Sequence, residues 1–424
     1  MSSMKTVGII AEYNPFHWGH ALQYDAVKAH FGDDTALVIV MSGSFTQRGE
    51  PAVVDKWTRA RMALAQGASL VLELPFVYAA ASAERFATGA VQCLQSTGVV
   101  GSLAFGSETG DLASLTRVAG ILAEEPPAFK SALRLGLDDG LAFPAARQQA
   151  LASVLPEPGL AELLRTPNNI LAIEYLKAIQ RCEYTRLKPW THVRAGQDYR
   201  EQDLASAAGP ASATAIRSTI RSKAGSQSAL LQILAGHMPA PALGLLLRSI
   251  AAGSGPVFPE MFASAFLSLL SSHTPAELDQ IAGMEEGLGR RMQQAAARPA
   301  KKSAELLSDL LTAAATRRFP ATRIQRALIA LLAGIQREDL ALFDAAAGPQ
   351  YLRVLGFDKR GRYLLKQMRQ HARLPVVTRG SDFLEMKEPA AVRMAGLDRL
   401  ATDLWNFAAG LPAGADFDTP VITS

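Results

Sequence analysis

Two histidines flank a glycine directly behind the first apolar run, in "VGIIAEYNPFHWGH", residues 7–20. The run ends at Ala11, so Asn14 to His20 fall in a loop and the first turn of the helix that follows. Gly19 lets a phosphate approach the backbone with no Cβ in the way. A helix start adds unpaired N–H groups and a partial positive charge. His17 and His20 can then donate hydrogen bonds to phosphate oxygens and compensate charge that builds up during displacement at phosphorus. In that reading they are electrostatic stabilisers rather than nucleophiles. The local alternative is that both imidazoles only cap or pack the helix. A zinc site is less attractive, because no third His, Cys or Asp stands nearby at ligand spacing. A second polar cluster, "ASATAIR" (211–217), offers Ser212 and Thr214 as helix caps or phosphate ligands and Arg217 as a fixed charge.

The elements that must position these residues are legible from apolar patterning. Near-continuous apolar runs at 6–11, 35–43, 70–75 and 102–107 alternate with helical patterns at 18–30, 54–66 and 82–97. Strands of that kind are covered on both faces, as in a parallel sheet. The alternation predicts an α/β doubly wound parallel sheet of Rossmann type, with ligands beyond the carboxyl ends of its strands. Helix dominates after 111, notably at 168–181, and a last strand is expected in 185–195. A Gly/Ala/Ser-rich loop at 205–213 then leads into helix after helix. We expect a catalytic domain over 1–215 and an α-helical domain over 216–424.

Length and composition agree with this division. A chain of 424 residues, 49% hydrophobic and 19% charged, suits two globular cores rather than disorder. No apolar run is long enough for a bilayer, and the N-terminus lacks a signal-peptide pattern. Cys93 and Cys182 are too few for a disulfide framework, so a cytoplasmic setting is expected. The net charge is +4, but residues 301–380 hold 15 Lys and Arg against 6 Asp and Glu. The remainder is therefore net acidic. Such a basic region suggests a polyanionic partner, the alternative being solvated helix faces.

"HWGH" resembles the HxGH signature of the nucleotidyltransferase superfamily, which adenylylates small molecules with ATP. "ASATAIR" is similar to its second signature, ISSTxIR, with Ala211 and Ala213 in place of the usual Ile and Ser. Further blocks resemble one family throughout the chain, that of tRNA(Met) cytidine acetate ligase. They are "MSGSFTQRGEPAVVDKW" (41–57), "LVLELPF" (70–76), "FGSE" (105–108), "TPNNILAIEYLKAI" (166–179), "TRIQR" (322–326) and "YLRVLGFDKRGRYLL" (351–365). Ser44 and Asp55 stand where that family more often has Asn.

The resemblance implies an enzyme that joins acetate to ATP, giving acetyl-adenylate and diphosphate. It then passes the acetyl group to the exocyclic amine of the wobble cytidine in elongator tRNA(Met). It implies an ATP loop formed by Ile10, Ala11, Glu12, Tyr13, Asn14, Pro15, Phe16, His17, Trp18, Gly19, His20, Ala21, Leu22 and Gln23. Gly106, Asn169, Arg194, Ser212, Thr214 and Arg217 complete the nucleotide contacts, with the choice between Asn168 and Asn169 open. His17 and His20 would be catalytic. So would Arg48, whose guanidinium can grip a carboxylate bidentately. Glu73 and Glu108 are candidate helpers for magnesium or for deprotonating the amine; each equally suits a structural pairing. Arg323, Arg326, Lys359, Arg360, Arg362 and Lys366 would bind RNA phosphates. ATP with magnesium, acetate and the tRNA are the expected partners, with no resident metal site, membrane or protein partner. The rival reading is an adenylyltransferase acting on a small molecule.

Overall fold

The structure is a computed structural model that describes residues 4–182, 186–194, 211–223, 225–297 and 305–424. The expected loop at 205–213 lies outside the described residues up to 210, as do Lys301 and Lys302 of the basic region.

The expected strands form as β1 (Thr6–Ala11), β2 (Ala36–Ser42), β3 (Leu70–Leu74), β4 (Ser102–Ser107) and β5 (Lys188–Val193). All five are parallel, in the order β5-β4-β1-β2-β3. Every residue of β2 is buried, and its side chains alternate between two cores. Val38 and Val40 face one core; Leu37, Ile39 and Met41 face the other. Burial on both faces is why the run lacks a polar alternation. Helices α1 (Trp18–Phe31), α2 (Lys56–Ala65), α3 (Ala83–Ser96) and α5 (Pro167–Gln180) follow the expected spans within two residues, and α4 (Leu112–Glu124) opens the helical stretch after residue 111.

The second half is helical, as expected, and includes α6 (Ala213–Lys223), α7 (Ala240–Ala251), α8 (Ala321–Ala333), α9 (Lys359–His371), α10 (Pro389–Ala408) and the short α11 (Ala415–Asp418). It differs from the expectation in one respect. "LRVLGF" forms β6 (Leu352–Phe357), which adds antiparallel to β3. The two-residue strands β7 (Val376–Val377) and β8 (Ile422–Thr423) pair with β6. A six-residue apolar run cannot be told from buried helix by periodicity alone. Asp358 marks the change of structure, its carboxylate accepting from the Gly361 N–H at 2.7 Å to cap α9.

The late elements also lock onto the early ones through buried polar contacts. The Trp405 indole donates to the Ala52 carbonyl at 2.6 Å, and Asp398 accepts from the Phe76 N–H at 2.7 Å. Lys56 Nζ meets both Glu73 oxygens at 2.9 Å, Asp416 at 2.8 Å and Thr402 at 3.0 Å. Arg353 of β6 lies 3.6 Å from the same Asp416 carboxylate.

Candidate active site

In this strand order the chain runs outward from β1 through β2 to β3, then crosses back to β4 on the other side of β1. The crevice between the carboxyl ends of β1 and β4 is the place where such sheets bind ligands. A cavity of about 430 Å³ opens there. Ile10 to Asn14 line it from β1 and its loop, and Phe105 and Gly106 from β4. Phe86, Ile170, Leu171 and Tyr175 supply an apolar wall.

His17 is the N-cap of α1. Its Nδ1 accepts from the Gly19 N–H at 3.0 Å, while Nδ1 of His20 accepts from the His17 N–H at 3.2 Å. A neutral imidazole that accepts at Nδ1 carries its proton on Nε2. Burial, aided by Arg194 and Arg217, pushes His17 down to about 3. Burial, then His17 and Arg194, holds His20 well below the usual histidine range. Both rings line the cavity as neutral Nε2–H donors, and His17 Nε2 is buried without a partner among the described residues. Each ring thus caps the helix start with Nδ1 and lines the cavity as well. Gly19 has a further reason: a Cβ there would sit 2.8 Å from Cε1 of His17.

The same burial predicts a pH effect. Unfolded histidine takes up a proton near pH 6.5, whereas folded His17 does so only near 3. Between those values the unfolded chain binds more protons, so stability falls as pH drops. The melting temperature of nucleotide-free protein should fall between pH 7 and 5, and fall less in His17→Asn, which keeps a capping side chain. Equal slopes in the two proteins would count against a neutral His17.

Arg217 of α6 donates to the Asn14 carbonyl at 2.9 Å and lies 3.6 Å from Glu50. Ser212 lines the cavity and accepts from the Ala215 N–H at 3.1 Å, capping α6. Thr214 stands behind Arg217, at 3.4 Å, rather than in the lining. Arg194 donates to Asn168 Oδ1 at 2.5 Å, and both line the cavity. Asn169 does not reach it with its side chain. It is buried, and its Oδ1 accepts from the N–H groups of Glu108 and Thr109 at 3.0 and 3.3 Å. Glu108 in turn caps α5, accepting from the N–H groups of Asn168 and Asn169 at 3.0 and 2.6 Å. Glu73 is held in the Lys56 cluster. Neither acid lines the cavity.

Gln23 and Arg48 join the lining, whereas Pro15, Phe16, Trp18, Ala21, Leu22 and Thr214 do not. Phe16 and Ala21 are buried behind the loop, with Tyr13 and Tyr24; Trp18 and Leu22 are exposed. Arg59 is a functional residue that nothing in the sequence singles out. It is fully buried and donates to the carbonyls of Glu12 at 2.8 Å, Ser42 at 2.9 Å, Val54 at 3.1 Å and Gly43. One guanidinium thereby fixes the loops after β1 and β2. In sequence it reads as an ordinary helix-surface arginine, so no local signal could have found it.

The basic residues separate into two groups. A Cβ at Gly49, whose φ is +76°, would lie 2.7 Å from the Arg326 backbone nitrogen, so the start of α8 abuts the loop carrying Arg48. Burial, then Arg323 and Arg48, lowers the proton affinity of Arg326. Arg323 and Arg318 share Glu286, at 3.2 and 3.3 Å. Lys359, Arg360, Arg362 and Lys366 instead lie on α9. There Arg360 pairs with Asp34 at 3.4 Å, and Gly361 packs on the Ser69 carbonyl. Asp34 and Ser69 precede β2 and β3, so α9 starts at the amino ends of the strands. The two groups are thus about one strand length apart, ~20 Å.

Residues 4–414 match the HIGH Nucleotidyl Transferase family. The chain belongs to that family, as its switch-point cavity and paired histidines require. Relatives place it more narrowly. The tRNA(Met) cytidine acetate ligase of Acetivibrio thermocellus is 40% identical over 95% of this chain and 94% of its own. That of Syntrophomonas wolfei is 39% identical over 98% and 99%. The crystal structure of Thermotoga maritima TmcAL, apo form I, superposes with a TM-score of 0.90, at 32% identity over 99% of both chains. Its form bound with alpha-thio ATP gives 0.87. The chain is therefore a member of the tRNA(Met) cytidine acetate ligase family.

Proposed function

We propose that this protein is an ATP-dependent ligase. It activates acetate as acetyl-adenylate, releases diphosphate and acetylates the wobble cytidine N4 of elongator tRNA(Met). The observation that carries the reading is a nucleotide-sized cavity in which two neutral imidazoles present Nε2–H donors beside Arg194 and Arg217. Those four side chains suit a triphosphate, and Arg48 suits the carboxylate of acetate. Asn168 is the better side-chain contact for the nucleotide, since it lines the cavity beside Arg194 and Asn169 does not.

Magnesium would enter on the triphosphate, with phosphate and water oxygens filling its shell. Among the described residues no three His, Cys, Asp or Glu stand together to hold a metal. No helix is long and apolar enough to cross a membrane. A cytoplasmic place of action fits a tRNA substrate and the two free cysteines.

The deciding experiment is nucleoside analysis of elongator tRNA(Met) incubated with the protein, ATP and acetate. N4-acetylcytidine is expected; a nucleotide conjugate of a small molecule instead would favour the adenylyltransferase reading. For the RNA surface, Arg323 and Arg326 are assigned to phosphates beside the reacting cytidine, and the α9 residues to phosphates farther along the tRNA. Reversing Arg360 and Lys366 to Glu should weaken tRNA binding more than acetate-dependent exchange. It should also flatten the salt dependence by ~0.9 in log–log slope per lost phosphate contact. An unchanged slope in the folded double variant would make α9 a solvated face.

A further inference from the structure

Acetyl transfer to an amine releases a proton, and most polar groups around the cavity are unable to take it. Nδ1 of both histidines is committed to backbone N–H groups, and Nε2 already carries the proton. Arg48, Arg194 and Arg217 are guanidinium donors with no acceptor site to offer. Glu73 is bound to Lys56, and Glu108 is committed to the start of α5. Glu12 is the single acid in the lining among the described residues.

We propose that Glu12 is the proton acceptor for the attacking amine in the transfer half-reaction, a role that rests on the ligase reading above. Its place is fixed from two sides. Arg59 holds its carbonyl at 2.8 Å, and its Oε1 accepts from the Gln47 N–H at 2.7 Å. Among the described residues Oε2 accepts no hydrogen bond, so one carboxylate oxygen orients the group and the other serves the cavity. Gln47 lies on the same loop as Arg48, so the carboxylate stands where the acetyl end of the adenylate would be held.

The step balances within the site. The amine nitrogen attacks the acetyl carbonyl carbon and a C–N bond forms. The bond from that carbon to the phosphate oxygen breaks, and its electron pair leaves with AMP. The proton on nitrogen passes to Glu12. Burial raises the proton affinity of this carboxylate, opposed by the Gln47 N–H and Arg217; Glu50 raises it and Arg48 lowers it. Tyr175 of α5 lies close enough to feel its charge, and burial, then Glu12, pushes the Tyr175 hydroxyl up. A carboxylate whose proton affinity burial has raised is a better acceptor than a solvated one.

The test supplies synthetic acetyl-adenylate and unmodified elongator tRNA(Met) transcript, so that adenylation is bypassed. Single-turnover transfer is followed from pH 5 to 8. Wild type should lose rate on the acid side as Glu12 becomes protonated. Glu12→Gln, which keeps an acceptor for the Gln47 N–H, should transfer about a hundredfold more slowly and lose that acid limb. Glu12→Asp should be slower than wild type but keep the limb. Transfer by Glu12→Gln at the wild-type rate and pH profile would overturn the proposal and hand the proton to the AMP phosphate or to water. If Glu12→Gln does not fold, Glu12→Asp decides: an acid limb supports the assignment and a flat profile overturns it. If wild type acetylates no tRNA under these conditions, the ligase reading falls and the proposal with it.

Discussion

His20→Ala is expected to slow acetate-dependent exchange of labelled diphosphate into ATP by about 10²–10³-fold, ~3 kcal/mol, with ATP affinity changing much less. The reason is the state of the ring. His20 is neutral, with Nδ1 tied to the His17 N–H at 3.2 Å, so its Nε2–H is already aimed before the reaction begins. A neutral donor gains most when charge grows on the oxygen it faces, which happens as the phosphate is displaced. In the proposed reading ground-state ATP would have other anchors, Arg194 and Arg217, which line the same cavity and do not depend on His20. Exchange assays at saturating ATP, with ATP affinity measured separately, distinguish the two contributions. A folded variant with normal exchange would leave His20 as a cap for α1 and nothing more.

Lys56→Met should destabilise the fold by ~3–5 kcal/mol, because it strands two buried carboxylates without their cation. Lys56 is 1% exposed, Glu73 5% and Asp416 3%, so water cannot replace the ammonium. On a chain of this length that loss lowers the melting temperature by about 5 °C. The pH dependence has a definite sign. Burial raises Glu73 above the ordinary carboxylate range even with Lys56 present. Without the lysine it should hold a proton to still higher pH, and a protonated Glu73 no longer needs a counter-charge. The deficit should therefore be largest near neutrality and shrink toward pH 5. A deficit independent of pH would mean that lost packing, not stranded charge, causes it. Because Lys56 lies in the first half and Asp416 near the end, the same variant should loosen the C-terminal segment first, which hydrogen exchange can localise.

Much of the molecule could be read before any coordinates. Strands β1 to β4 are legible because both faces of each are buried, which turns them into unbroken apolar runs. The histidine pair is legible because its chemistry is local: three residues of spacing and one glycine build the cap and the donors together. The length of the cavity-lining segment was overdrawn, since a loop must also turn inward. Phe16 and Ala21 face the core and Trp18 and Leu22 face solvent because alternate positions of the loop and α1 point away from the crevice.

What the chain order hid was everything decided by distant partners. β6 looked like one more helical stretch, since only the open edge of β3 makes it a strand. In sequence Glu108 suits chemistry and a structural pairing equally, and the structure settles it by placing the first N–H groups of α5 against it; Asn169 likewise turns its amide to the backbone of Glu108. Basic residues that form one region in sequence lie at opposite ends of the strands, because β6 and α9 carry the second group away from Arg48. Sequence alone determined the five parallel strands and the paired histidines, which rest on periodicity and short-range spacing, and the family, which rests on the resemblance of successive blocks along the chain. Tertiary structure alone decided which acid faces the cavity, which arginine is a clamp and which asparagine lines the cavity. A polar side chain's role depends on whether another element satisfies it first, and that element can lie hundreds of residues away.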